Sequence, residues 1–215
     1  ICVALPRVGG AGLGGSQSGV STSTGFSDTV KLGGIGNIQQ NNEIVMRVRL
    51  DGANADANGL RWRGLALDTF DNKSWSRSQA NSKEPRQPDE RDIIQIDYTS
   101  GREGLTVQTV YLEPLDKPIL FALPRLIGVQ GNFPVLFKDK HDSVSFNRVG
   151  ERISYKVLSD RAEPDASLLR ADRAAYSDSA DSYLALPPDL DPRIAQLAAQ
   201  AVGNERSRYD KARAI

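Results

Sequence analysis

The chain has one cysteine, one histidine and one methionine in 215 residues, and its 27 basic and 27 acidic side chains cancel. A single cysteine excludes an internal disulfide and leaves the compartment open, because disulfide-free domains occur on both sides of a membrane. The missing net charge, with no basic stripe, argues against a nucleic-acid-binding module, which needs Lys and Arg to neutralise phosphates. No apolar run approaches the ~18 residues of a membrane-spanning helix. Hydrophobic residues make up only 39 % of the chain, because two polar stretches dilute an otherwise ordinary core composition. The length suits one sizeable core or two small ones, domains running roughly 100–200 residues.

What is present is mostly strand pattern. Residues 43–50 alternate, with Ile44, Met46, Val48 and Leu50 on one face and Arg47 and Arg49 on the other. Residues 91–98 repeat this with Ile94, Ile96 and Tyr98 inward, 105–112 form a third strand, and 152–158 set Ile153, Tyr155 and Val157 against Ser154 and Lys156. Residues 119–122, 135–137 and 144–146 are shorter candidates. Residues 60–75, LRWRGLALDTFDNKSW, read as a strand, a tight polar turn and a return strand. Strands separated by turn clusters, with no amphipathic helix between them, pair antiparallel. The fold class is therefore mainly β, an antiparallel sandwich or open barrel with a short C-terminal helical connector.

Two segments stand apart. Residues 8–24 are rich in Gly and Ser and read as a flexible tether. The apolar residues ahead of Pro6 are either a frayed terminus or the tail of a membrane span. Residues 76–90, with Ala80 as their only apolar side chain, read as a disordered hairpin excursion. Beyond Pro164 the character changes. Residues 166–175 have helical spacing through Leu168, Leu169 and Ala175, and 183–188 are extended ahead of two prolines. Asp191 and Pro192 open a helix whose apolar face is Ile194, Leu197, Ala198 and Ala201, stopped at Gly203. Ser207 and Asp210 start another in capping-box position, running to Ile215 without a stop signal, as in a fragment that ends mid-element. The expected organisation is a tether over 1–24, a β domain over 25–160 and a connector over 161–215.

Residues with chemical potential are few. Cysteine catalysis needs a thiolate beside a base, and Cys2 sits at the extreme N-terminus with nothing to hold it. His141, flanked by Asp139 and Asp142, falls short of the three or four ligands of a zinc site and reads as an exposed hairpin tip. Residues 10–15 match GxGxxG formally, but within a tether rather than between strand and helix. Asp68 and Asp71 resemble a glycosidase pair only in composition, since both flank one turn and Asp there bonds its own backbone. Trp62 and Trp75 read as closing the core beside the hairpin. No catalytic, cofactor-binding or metal residue is assigned.

One ordered set of motifs points to a family. It comprises Phe26-Ser27-Asp28-Thr29-Val30, Trp62-Arg63-Gly64 with Asp68 and Phe70-Asp71, and Tyr111-Leu112-Glu113-Pro114-Leu115. Gly150-Glu151-Arg152-Ile153-Ser154-Tyr155, Tyr183-Leu184-Ala185-Leu186-Pro187 and Tyr209-Asp210-Lys211-Ala212-Arg213-Ala214-Ile215 follow. The chain from Gly25 onward thereby resembles the extracytoplasmic region of bacterial membrane-anchored transglutaminase-like proteins of the TgpA type. Asn72 departs from the Gly common at that turn, but Asn tolerates the left-handed conformation. The resemblance implies a papain-like Cys-His-Asp domain past residue 215, in a parent that is a transglutaminase or a cysteine protease, and membrane spans flanking the whole. It implies an extracytoplasmic location, contact with the downstream catalytic domain, attachment to the membrane through flanking segments, no nucleic acid and no cofactor. The expected role is non-catalytic: holding the enzyme at a set distance from the membrane and walling one side of its cleft. The rival expectation is a stand-alone binding module for a cell-envelope protein or polymer.

Overall fold

The structure, a computed structural model, describes residues 28–32, 44–51, 57, 59–78, 82–99, 101, 104–176 and 180–215, with the backbone of Cys2 and Val3. Its strands are β1 (Cys2–Val3), β2 (Thr29–Lys31), β3 (Met46–Asp51), β4 (Thr69–Phe70), β5 (Ser74–Ser76) and β6 (Lys83–Arg86). They continue with β7 (Ile93–Gln95), β8 (Leu105–Leu112), β9 (Leu126–Gly131), β10 (Leu136–Asp139), β11 (Val144–Ser145) and β12 (Ile153–Asp160). Four helices follow: α1 (Ala166–Ala171), α2 (Asp181–Leu184), α3 (Pro192–Val202) and α4 (Arg208–Ala214).

The strands form a six-stranded antiparallel sheet in the order β1-β3-β8-β12-β9-β7 and two three-stranded sheets, β11-β10-β6 and β2-β5-β4. None closes into a barrel. The three long strands at the centre are the ones whose alternation was cleanest. Ile153, Tyr155 and Val157 of β12, Val110 and Leu112 of β8, and Met46 and Val48 of β3 are all buried. Leu136, Val144 and Phe146, on or beside the β10–β11 pair, belong to the same core cluster. The small sheet therefore covers the inner face of the large one, as in an open sandwich.

Residues 119–122, expected as a strand, make only isolated bridges, Ile119 to Ser145 and Ala122 to Arg63. Backbone bonds from Leu120 N to Val144 O at 2.9 Å and between Ala122 and Arg63 hold the segment, and side chains from the large sheet add to them at Phe121 and Leu123. The Tyr155 hydroxyl accepts from Phe121 N at 2.9 Å and donates to Phe121 O at 3.1 Å. Gln108 Oε1 accepts from Leu123 N and from Trp62 Nε1, its Nε2 donates to Ser159 Oγ, and that hydroxyl donates to Leu123 O at 3.0 Å. Burial raises the Tyr155 phenol further above its ordinary value, though its bond to Phe121 pulls the other way.

Other expectations need correction. The polar stretch 76–90 is not a featureless excursion: Lys83–Arg86 is β6 and pairs with β10 along its whole length. Its lack of apolar residues follows from its place at a sheet edge, where the side chains face solvent. Tyr98 points outward. The strand ends at Gln95, and the amides of Ile96 and Asp97 both donate to Ile127 O, which breaks the alternation before Tyr98. Within 60–75, only Thr69–Phe70 and Ser74–Ser76 are strand. Tyr183 and Leu184 lie in α2, not in an extended segment. The strand β9 was not anticipated, because Gly128 and Gly131 disguise the alternation of Ile127 and Val129. Gly131 has a packing reason, since a Cβ there would lie 2.9 Å from the Phe133 ring and 3.1 Å from Tyr155 Cβ.

The C-terminal helices start where their caps dictate. Asp191 accepts from Arg193 N, with Pro192 at the first helical position and Gly203 turning the chain at φ 54°. Ser207 Oγ accepts from Asp210 N at 2.9 Å. Among the described residues no helix is long and apolar enough to cross a membrane.

Candidate functional site

The densest polar cluster surrounds His141, and it is buried. The residue sits in the turn between β10 and β11, where Asp139 Oδ1 accepts from His141 N at 2.8 Å and from Ser143 N at 2.9 Å. Asp142 takes a positive φ of 59° and its amide bonds back to Asp139 O, closing the turn. Arg77 locks the other Asp139 oxygen at 2.6 Å, and Arg63 donates to the His141 carbonyl.

Asp68, just ahead of β4, meets this turn from the other side. Its carboxylate accepts from Ser78 N and Ser78 Oγ, each at 2.7 Å, and lies 2.8 Å from His141 Nε2. An ionised carboxylate only accepts, so His141 Nε2 is the donor in this bond. Burial pushes the Asp68 carboxyl up, but the bonds from Ser78 and His141 outweigh it and lower it from 3.8 to about 2. Lys140 adds a cation 3.8 Å from the same oxygen. His141 Nδ1 is buried without a hydrogen-bond partner. The Tyr183 ring of α2 packs edge-on against the imidazole, with centroids 4.9 Å apart.

His141 is thus the reverse of an exposed hairpin tip. The local sequence, Lys138 to Asp142, is that of a turn, and only the return of Asp68 and Ser78 from distant sequence buries it. Asp139 and Asp142 are not co-ligands: Asp139 holds its own turn, and Asp142 reaches Lys138 at 3.0 Å on the surface. Asp68 and Asp71 separate as well. Asp71 behaves as a turn aspartate, accepting from Lys73 N, Ser74 N and Ser74 Oγ, while Asp68 bonds Ser78 and His141. Trp62 packs against the core and bonds Gln108, and Trp75 stacks on Phe70 at 4.9 Å. The backbone of Cys2 pairs with Arg47 in β1, and residues 10–15 lie outside those described.

The arrangement is chemically quiet. The only histidine of the chain already spends Nε2 on Asp68, and both side chains are closed to solvent, so no substrate reaches the pair. Ser78 bonds the carboxylate rather than the imidazole and gains no base. Among the described residues no group of three His, Cys, Asp or Glu side chains is placed to hold a metal ion. What the cluster does is mechanical: it gathers β4, the β10–β11 turn and α2 at one point. Asn72 Nδ2 donates to Asp189 Oδ1 at 2.7 Å, a second tie between the hairpin and the segment after α2.

Residues 1–166 match the family described as the TgpA N-terminal domain. The chain belongs to that family. Over 100 residues it is 28 % identical to the protein-glutamine gamma-glutamyltransferase of Pseudomonas aeruginosa, an alignment covering 46 % of this chain and 14 % of that protein. The crystal structure of the periplasmic domain of TgpA from Pseudomonas aeruginosa has the same fold, at TM-score 0.57 and 22 % identity over 85 % of this chain and 57 % of that one. The ethylmercury-bound form of that domain gives TM-score 0.60 and 21 % identity over 89 % of this chain and 61 % of that one. The chain therefore spans less than two thirds of the crystallised relatives and a small part of the transferase. The family match stops at residue 166, the first residue of α1, so α2, α3 and α4 lie beyond it.

Proposed function

We propose that this chain is the non-catalytic, extracytoplasmic β module of a membrane-anchored transglutaminase-like enzyme, and that residues 161–215 are the connector that seats the catalytic domain. On this reading the segment between β1, which pairs with β3, and residue 25 is the membrane-proximal tether, and 25–160 is the β domain. The observation that carries it is the uncovered apolar face of α3. Ile194 and Leu197 are 53 % and 67 % exposed, one turn apart and on the face shared with Ala198 and Ala201. None of the four helices holds a buried residue. Polar contacts hold the α1–α4 pair together: Arg170 grips Asp210 at 3.0 and 3.1 Å, and Arg208 stacks over Tyr176. Burying Ile194 and Leu197 stabilises a docked domain by roughly 1.5–3 kcal/mol each. The likeness to periplasmic domains and the name of the aligned transferase support the same reading.

The test is substitution of both Ile194 and Leu197 by Ser in the reading frame extended through the catalytic domain. The expected outcome is at least a tenfold loss of activity, while the 215-residue chain carrying the same changes melts at the unaltered temperature. Full activity in the doubly substituted enzyme would contradict the proposal.

A further inference from the structure

We propose that the outward face of the six-stranded sheet binds the anionic phospholipid surface of a bilayer, with Arg47, Arg49, Arg152 and Lys156 facing the phosphates and Tyr111 seated among them. The strand registers assemble this face from three strands. Arg47 stands opposite Tyr111, and Tyr111 opposite Ser154; in the next row Arg49 stands opposite Thr109, and Thr109 opposite Lys156. Since Met46, Val48, Val110, Leu112, Tyr155 and Val157 point into the core, alternation sends these residues to the other side.

Arg47, Arg49, Tyr111, Arg152, Ser154 and Lys156 are all exposed. Two carboxylates lie among the four cations. Glu113 bridges Arg47 at 3.0 Å and Arg152 at 2.8 Å, and Asp51 accepts from Arg49 at 3.3 Å. The chain as a whole is neutral, so a surplus of two positive charges here is a local concentration.

The shape favours a surface over a small ligand. A pleated sheet face is broad and shallow, and long Arg and Lys stems lie along it with their charged ends at the solvent side. There phosphates compete with Glu113 and Asp51 for the three guanidinium groups. Tyr111, 43 % exposed, offers the amphipathic ring that favours the membrane–water interface. Strand β1 borders β3, with Cys2 beside Arg47, so a membrane segment ahead of β1 delivers this basic edge to the bilayer. That step rests on the membrane-anchored reading above.

The experiment is sedimentation of the 215-residue chain with vesicles of phosphatidylcholine alone and of phosphatidylcholine mixed with phosphatidylglycerol. Binding to the mixed vesicles only, weakened by added salt, is expected. Arg49→Ser and Lys156→Ser should each weaken it about fivefold, while Arg61→Ser and Arg206→Ser, which remove the same charge elsewhere, leave it unchanged. Equal binding to both vesicle types, binding to neither, or equal loss in all four variants would overturn the proposal. So would equal retention on soluble polyglutamate, which would indicate an acidic polymer instead. No catalytic domain is present in this experiment, so its failure leaves the α3 docking test untouched, and the reverse holds too.

Discussion

Asp68 concentrates three short hydrogen bonds on one buried carboxylate, from Ser78 N, Ser78 Oγ and His141 Nε2, with a longer fourth from Thr69 Oγ1 at 3.5 Å. Asp68→Ala leaves all three unpaired, and an unsatisfied buried polar group costs about 1–3 kcal/mol. The expected loss is therefore about 3 kcal/mol or more, read as a fall in the urea midpoint. The pH dependence follows from the same bonds. The folded carboxyl titrates at about 2 and the unfolded one near 3.8, so between those values the unfolded chain binds more protons. The stabilisation is complete above about pH 4 and is lost as pH falls towards 2, amounting to on the order of 2 kcal/mol. Asp68→Asn should lack this increment, so the gap between its stability and that of the parent narrows across the window. A constant gap would contradict the account. Little of this was legible in the sequence. A turn at Lys138 to Asp142 could be read locally, but its burial depends on Asp68 and Ser78, more than sixty residues earlier, and no local period encodes that pairing.

At the scale of elements, alternation located the sheet centre because β3 and β12 have one face in the core and one towards solvent, while β8 between them carries Val110 and Leu112 inward. It failed where backbone pairing is reduced to isolated bridges. Residues 119–122 look like a strand and are buried like one, but their backbone bonds are scattered over Val144 and Arg63, and Tyr155 adds a side-chain tie at Phe121 as Gln108 and Ser159 do at Leu123. Tyr155→Phe should therefore destabilise the fold by about 1–3 kcal/mol, with faster amide exchange at Phe121 and Leu123 ahead of the β8–β12 pair. Uniform acceleration across the sheet would show that the hydroxyl does not hold this segment. Gly131 makes a second element-scale case. Gly131→Ala forces its Cβ against Phe133 and Tyr155, and overpacking of this kind costs roughly 1–3 kcal/mol. A thermal melt of the variant reads it directly, and an unchanged melting temperature would show that the Phe133 ring simply moves aside.

The whole molecule divides at about the end of β12. Before it lies a core that buries its apolar residues; after it lie helices that bury none. Capping residues made α3 and α4 legible in sequence, since Asp191, Pro192, Gly203 and Ser207 act locally. The family was legible from the order of motifs that span both parts. The Tyr183–His141 contact that ties α2 to the β module was not, because a Tyr before Leu-Ala-Leu-Pro carries no sign of what it packs against. The β module folds around itself, whereas Ile194 and Leu197 of α3 stay exposed, and on the proposed function a partner covers them. The central claim is that this partner is the catalytic domain. Amide hydrogen exchange of α3 tests it most directly, comparing the 215-residue chain with the reading frame extended through that domain. The account predicts near-unprotected exchange across α3 in the shorter chain and at least hundredfold slowing in the longer one, with β8 and β12 unchanged. Equal exchange of α3 in both would contradict it.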